Sequence, residues 1–278
     1  MIPLDELLSA TDAELLTPGA YQTFGAFAHD SRLLTPGECF VAVRGLHGDG
    51  HDYLADALEH GVGAVVFERA GRRRIEETQP GLLGRLERAG VAVLLVEDTR
   101  VALQQYAAHI LATWRPQVIA VTGGVGKTTT KEAIADVLSL SAPTFRSWRN
   151  YNDLLGLPLS LGRLEPTHRY AVLELGADHP GEIADLCDMI HPQVAVVTNG
   201  APTQLQYFGS VAALCDELAR LPAALPADGL AVLNGDDPAT RAMSARTAAP
   251  VRFFGLHAGS SRIAATIATA DTGNALRY

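Results

Sequence analysis

Lysine is almost missing from this chain. Only Lys127 and Lys131 stand among its 22 basic residues, and the rest are arginine. Cysteine is nearly as sparse: Cys39, Cys187 and Cys215 are odd in number and lie far apart, with no CxxC pair. That excludes a disulfide framework or a zinc knuckle as the expected scaffold and fits a reducing compartment. No apolar run comes near the ~20 residues of a membrane helix, so no membrane span is expected. The opening stretch, MIPLDELLSATDAELL, carries acids where a secretory leader has its basic segment. A cytoplasmic protein is therefore expected. Cations are outnumbered, with 31 acidic side chains leaving a formal charge of −9. A surface of that sign repels nucleic acid and anionic lipid, so neither is an expected partner. A small anionic ligand needs only a few local cations and stays open.

What is present suffices for folded cores. Hydrophobic residues make up 47% of the 278 positions and charged residues 19%, which is globular rather than disordered composition. The length suits two domains of roughly 100–200 residues. In the first hundred residues, short strands are expected at Glu38–Val43, Ala64–Phe67 and Val91–Val96, with helices near His51–His60 and Gly81–Arg88. His51 is expected to start a helix or to pack. The charged stretch Arg69–Gln79 reads as a solvated loop or helix edge, with a phosphate-binding arginine cluster as the alternative. Asp98 suits the N-cap of a helix reaching Trp114, and Pro116 marks the domain junction.

Beyond Pro116, apolar strands at Val118–Thr122, Tyr170–Leu175, Val194–Thr198, Leu230–Leu233 and Val251–Phe254 alternate with helices. These are expected at Lys127–Leu140, Pro180–Ile190, Ser210–Leu221 and Pro238–Ala248. Such alternation implies a mostly parallel sheet covered by helices on both faces. The fold class expected is α/β, with a small mixed domain over residues 1–115 followed by a P-loop domain over 116–278. The segment Ser260–Tyr278 alternates weakly and could add edge strands. Ligands of such sheets bind at the carboxyl ends of the strands.

The segment Val118-Ile-Ala-Val-Thr-Gly-Gly-Val-Gly-Lys-Thr-Thr-Thr-Lys131 runs from an apolar strand through a glycine turn into a helix. Glycines let backbone N–H groups converge on phosphate oxygens, the helix N-terminus adds positive potential, and a lysine adds a mobile charge. The strict GxxxxGK[ST] pattern fails, because Val121 holds its first position. A compact form is present instead, and Gly123, Gly124, Val125, Gly126, Lys127, Thr128 and Thr129 are the candidate triphosphate cradle. The Thr128 hydroxyl is placed to join a Mg²⁺ shell.

This loop resembles that of the Mur ligases, and its TKE extension is similar to the MurF type. Other blocks carry the resemblance in family order across nearly the whole chain. Asp30-Ser-Arg32, Pro36–Gly45 and Asp49–Tyr53 resemble a first domain that holds the UDP end of the substrate. Asn150–Pro158, Leu173–Ile183, Val197-Thr-Asn199, Phe208-Gly-Ser210 and Leu233–Asp237 follow. The resemblance implies an ATP- and Mg²⁺-dependent amide ligase of peptidoglycan precursor synthesis. In that reaction a carboxylate of a UDP-N-acetylmuramoyl peptide is phosphorylated and then attacked by the amine of D-alanyl-D-alanine. It further implies Lys127 and Glu174 as catalytic residues, with Glu174 and Thr128 at the metal. Asn234 would read the adenine, with Asp237 near the nucleoside. Ser31 and Arg32 would touch the UDP end, and Asn150 and Asn152 would bind substrate. A monomer is the family habit.

Three departures stand against that pattern. Gln204 occupies the place of a metal-binding histidine and is a neutral, weaker ligand. Leu218 falls, by ungapped count, where the family has a lysine that supports a second metal, and Asp216 or Glu217 offers the nearest substitute oxygen. Finally, the family's C-terminal domain has no counterpart in the 278 residues, so the chain is expected to be a fragment, to lack the lid, or to use a partner chain. Three readings follow: a working ligase, a relative that binds nucleotide or UDP precursor without ligating, and a ligase for another amine.

Overall fold

The computed structural model describes residues 1–45, 48–203, 205–256, 266–270 and 273–277. Its contacts divide the chain into two units. The first comprises Met1–Arg115 together with Leu154–Pro166, and the second Pro116–Asp153 with Thr167–Tyr278.

In the first unit, β1 (Ile2–Pro3) pairs with β3 (Thr23–Phe24) as a small antiparallel sheet. The main sheet combines β2 (Glu14–Thr17), β4 (Phe27–Ala28), β5 (Cys39–Val41), β6 (Ala64–Glu68) and β7 (Ala92–Val96) in the order β2-β7-β6-β5-β4. All neighbours are parallel except β2 on β7. Every residue of β6 and β7 is buried, as expected of strands covered on both faces. Phe40, Leu54, Phe67, Ile75 and Leu86 lie in the core. The stretch Arg69–Gln79 is a 3-10 turn followed by a helix, Arg72–Thr78. Arg72 and Arg73 pair with Glu76 and Glu77 one turn on, and Arg74 with Asp52. The arginine run is therefore a solvated helix face.

Asp98 caps the helix Thr99–Trp114 by accepting from the N–H of Arg100 and Val101. The helix Gly156–Leu161, wholly buried, belongs to this same unit. Gly162 lies against Phe27, whose ring a β-carbon there would meet at 2.5 Å.

The second unit holds a six-stranded, all-parallel sheet of β8 (Gln117–Thr122), β9 (Thr144–Arg146), β10 (Tyr170–Glu174), β11 (Val194–Val197), β12 (Leu230–Asn234) and β13 (Val251–Phe254). Its order is β13-β12-β11-β8-β10-β9. The chain builds β9 and β10 on one side of β8, then crosses to build β11, β12 and β13 on the other. Such a reversal opens a crevice at the carboxyl ends of the strands, where ligands of open α/β sheets bind. Ile119, Val121, Val172 and Val196 form a buried cluster with Ala135 of the helix Lys127–Ser139. The final strands, β14 (Thr266–Ala270) and β15 (Gly273–Arg277), pair with each other as a separate hairpin rather than extending the large sheet. Among the described residues, no helix is long and apolar enough to cross a membrane.

Candidate nucleotide site

The register places Glu174 of β10 beside Val121 of β8, and Val197 of β11 beside Thr122. The turn between β8 and its helix therefore opens at the carboxyl edge of the sheet, flanked by Glu174 and by the loop after β11. Gly123 has φ +137°, and a β-carbon there would stand 2.1 Å from the Thr198 hydroxyl. Gly126 has φ +85° with open space around it. The two glycines are required for different reasons, one for close approach and one for backbone handedness.

Thr198 and Asn199 hold the turn from below. The Thr198 hydroxyl donates to Val125 O at 2.7 Å, and the Asn199 side-chain amide donates to the same carbonyl at 2.9 Å. Asn199 Oδ1 accepts from Val125 N at 3.1 Å, and its carbonyl accepts from Gly124 N at 2.9 Å. With those two N–H groups engaged, the first N–H groups of the helix Lys127–Ser139, which have no intrahelical acceptor, are the ones left to meet an anion. The Lys127 ammonium arches over the turn, donating to Gly123 O at 2.9 Å and Gly124 O at 3.4 Å. Thr129, two positions on, lies exposed.

Glu174 is the other half of the site. Its side chain is only 3% exposed, and a carboxylate so far out of water needs partners. Thr128 Oγ1 donates to Oε2 at 2.8 Å, and Asn152 Nδ2 donates to Oε1 at 2.9 Å. The Lys131 ammonium lies 3.9 Å from Oε2. Among the described residues, no group of three or more His, Cys, Asp or Glu side chains is gathered for a metal. Magnesium in nucleotide sites needs no such cage, because one or two protein oxygens are completed by phosphate and water. Neighbouring oxygens of an octahedral Mg²⁺ shell stand roughly 2.9 Å apart, given ligand distances of about 2.0–2.1 Å. The Thr128–Glu174 pair has that spacing, so the residues present fit one Mg²⁺.

The remaining candidates are spread more widely. Asn234 ends β12, and its amide donates to Thr198 O at 2.9 Å while its Oδ1 accepts from Asp236 N at 2.9 Å. Asp237 caps the short helix Pro238–Ala242 and accepts from Gly200 N, Ala239 N and the Thr240 hydroxyl. Burial pushes the Asp237 carboxyl up, but those hydrogen bonds outweigh it and hold it below its ordinary value. Both residues thus brace the β11 and β12 loops beside the glycine turn. Asn150 is exposed, two residues before Asn152. Gln204 lies outside the described residues.

In the first unit, Ser31 is buried in a 3-10 turn capped by Asp30. Arg32 is 83% exposed and gripped by Asp30 through Nε at 2.8 Å and Nη2 at 2.7 Å. That paired hydrogen bond keeps the Asp30 carboxyl below the usual carboxylate range. Ser31 and Arg32 line a cleft of about 800 Å³ with Tyr53, the end of the Asp49–Tyr53 block, and with His29 and Arg100, two residues the sequence had not singled out. His51 is fully buried, its ring edge-on to Phe67. Its Nε2 accepts from Glu68 N at 3.1 Å, so Nδ1 is the donor to Asp49 at 2.5 Å.

The substitute metal oxygens are used elsewhere. Glu217 is buried and accepts from Gly181 N and Ile183 N, both at 2.9 Å, tying down the start of the helix Glu182–Ile190. Asp216 faces Arg246 at 3.4 Å. Leu218 is 0% exposed, a core residue.

Comparison with known proteins adds the following. Residues 121–277 match the Mur ligase middle domain, and residues 26–110 match the Mur ligase family, catalytic domain. The UDP-N-acetylmuramoyl-tripeptide--D-alanyl-D-alanine ligase of Escherichia coli (strain K12) is 36% identical over 236 residues, covering 85% of this chain and 48% of the relative. The protein of the same name from Synechocystis is 38% identical over 212 residues, covering 75% and 43%. Among solved structures, MurF from Acinetobacter baumannii superposes with a TM-score of 0.76 at 28% identity, over 99% of this chain and 60% of that one. MurF ligase from Thermotoga maritima, solved in complex with ADP, gives 0.68 at 31% identity over 84% and 50%. The chain spans about half the length of the curated relatives it matches.

Proposed function

The chain belongs to the Mur ligase family, and on that premise we propose that it is the nucleotide- and UDP-precursor-binding part of a MurF-type amide ligase. The reaction is ATP-dependent joining of D-alanyl-D-alanine to UDP-N-acetylmuramoyl-tripeptide. The observation that carries this reading is the Thr128–Glu174 oxygen pair at 2.8 Å, next to a glycine turn whose carbonyls the Lys127 ammonium holds.

A carboxylate resists attack by an amine because its leaving group would be oxide; phosphorylation replaces oxide with phosphate. That transfer depends on holding phosphate oxygens in line and offsetting their charge. Lys127 offsets that charge from above the turn, and the helix N-terminus does so from its end. Thr128 and Glu174 would hold Mg²⁺, which when bound neutralises phosphate charge. Asn152 and Lys131 keep the Glu174 carboxylate aimed. Asn234 and Asp237 brace the loops on which the nucleoside end would rest, and Ser31 and Arg32 line the cleft for the UDP end.

A second reading is a relative that binds nucleotide or UDP precursor without ligating. The burial of Leu218 and the capping role of Glu217 favour it, since neither offers an oxygen for a second metal.

The test is phosphate release from ATP by the purified chain with Mg²⁺, UDP-N-acetylmuramoyl-tripeptide and D-alanyl-D-alanine. Release that needs both substrates, yields amide and vanishes in Lys127→Ala supports the ligase. ATP binding without release supports the second reading, and no ATP binding at all removes the ligase and every nucleotide-binding form of the second reading.

A further inference from the structure

Of the two lysines, one arches over the glycine turn, and the other, Lys131, is 0% exposed. Burying an ammonium costs several kcal/mol unless its donors are satisfied and its charge is met. Lys131 meets that requirement in full. Its Nζ donates to Ser147 O at 2.8 Å and Arg149 O at 3.0 Å, and stands 3.0 Å from Glu132 Oε1. Three donors thus have three acceptors.

Two of those acceptors lie in the turn after β9, and the same turn grips Glu174. The Ser147 hydroxyl accepts from Glu174 N at 3.0 Å, and Asn152 donates to Glu174 Oε1 at 2.9 Å. Asn152 also accepts from Gly176 N at 2.7 Å. Within this turn Arg149 has φ +51°, a left-handed conformation that side chains other than glycine rarely adopt. The carbonyl of that residue is one of the two that Lys131 holds, so the strained link is pinned at its own oxygen. Lys131 also stands three residues after Thr128, on the same helix. One buried side chain therefore joins the helix bearing one candidate metal oxygen to the turn that fixes the other.

We infer that Lys131 is a positioning residue: it sets the Ser147–Asn152 turn so that Glu174 is held against Thr128 for metal-assisted nucleotide binding. The inference rests on the nucleotide reading above and concerns residues that need not touch the nucleotide.

The test is calorimetric titration of ATP into the chain, in Mg²⁺ and in EDTA, for wild type, Lys131→Met, Ser147→Ala, Glu174→Gln and the Lys131→Met/Glu174→Gln double variant. In Lys131→Met the strengthening of ATP binding by Mg²⁺ is expected to fall about tenfold, the scale of lost outer-layer support at metal sites. Affinity in EDTA should stay within about twofold, since the glycine turn and Lys127 remain. The double variant should lose no more of the Mg²⁺ effect than Glu174→Gln alone, because Lys131 acts through Glu174. Ser147→Ala, which leaves the buried ammonium satisfied, should lose part of the same effect and carries the test if Lys131→Met does not fold. An undiminished Mg²⁺ effect, equal losses in Mg²⁺ and EDTA, or additive losses in the double variant would each overturn the inference. Wild-type chain that binds no ATP would instead overturn the functional reading on which it stands.

Discussion

Thr128 and Glu174 meet through a 2.8 Å hydrogen bond that joins the first turn of one helix to the end of a neighbouring strand. Replacing Thr128 with valine keeps the shape and removes the oxygen. ATP affinity measured in Mg²⁺ should fall at least about tenfold, given that even outer-layer groups at metal sites matter on that scale. Thermal unfolding should change little, by about 1 kcal/mol for one lost hydrogen bond. Unchanged affinity in Mg²⁺ would remove Thr128 from the metal site.

Gly123 and Gly126 should respond differently to alanine. At Gly126 the new β-carbon meets open space, so only the left-handed backbone is penalised, by about 1–2 kcal/mol. At Gly123 the backbone, at φ +137°, lies in a region that is essentially glycine's alone, and a 2.1 Å clash with the Thr198 hydroxyl is added. Chemical denaturation should show Gly123→Ala as clearly the more destabilised, and its ATP binding should be lost, because the clash sits on the residue that supports Val125. Equal stability of the two variants would contradict the close approach.

Glu217 and Leu218 are adjacent yet serve structure in separate ways. Glu217→Ala strips the acceptors from Gly181 N and Ile183 N. With about 1–3 kcal/mol for each buried group left unpaired, a loss of roughly 2–6 kcal/mol is expected in urea unfolding. Leu218→Lys puts an ammonium into the core and should cost about 3 kcal/mol or more. A stable Leu218→Lys protein with strengthened metal binding would show that this position can reach the site.

Asp237 makes stability depend on acid. Its folded value lies below its unfolded one, so its contribution is complete above about pH 4 and fades as pH falls through the folded value. Asp237→Ala should therefore be about 1 kcal/mol less stable than wild type near neutrality, as for a lost N-cap. The gap should close below about pH 4. A gap independent of pH down to 3 would mean the carboxylate charge is not what stabilises the loop.

Much of the second unit was legible because its strands are apolar runs and its punctuation is glycine and proline. The strand–turn–helix at Val118–Lys131 has one local reading. What was not legible depends on long-range partners. β9 is three residues long, too short to alternate. The helix Gly156–Leu161 belongs to the first unit, though it interrupts the sequence of the second. Nothing in the pattern around Glu217 tells that it caps a helix thirty-odd residues earlier. Lys131 could be counted as one of two lysines, but its burial depends on two carbonyls from the turn after β9.

That borrowed helix bears on how the protein is made. Residues Leu154–Pro166 complete a unit begun at Met1, yet the ribosome delivers β8, the glycine turn and β9 before them. The first unit therefore cannot finish its core when Arg115 emerges; the nascent chain must wait some fifty residues for its last piece. A gene cut at the apparent junction, Pro116, would release a protein with an open seam beside Phe27, where Gly162 belongs. Domains generally fold as units during synthesis, and here the unit closes only after part of its neighbour has already been translated.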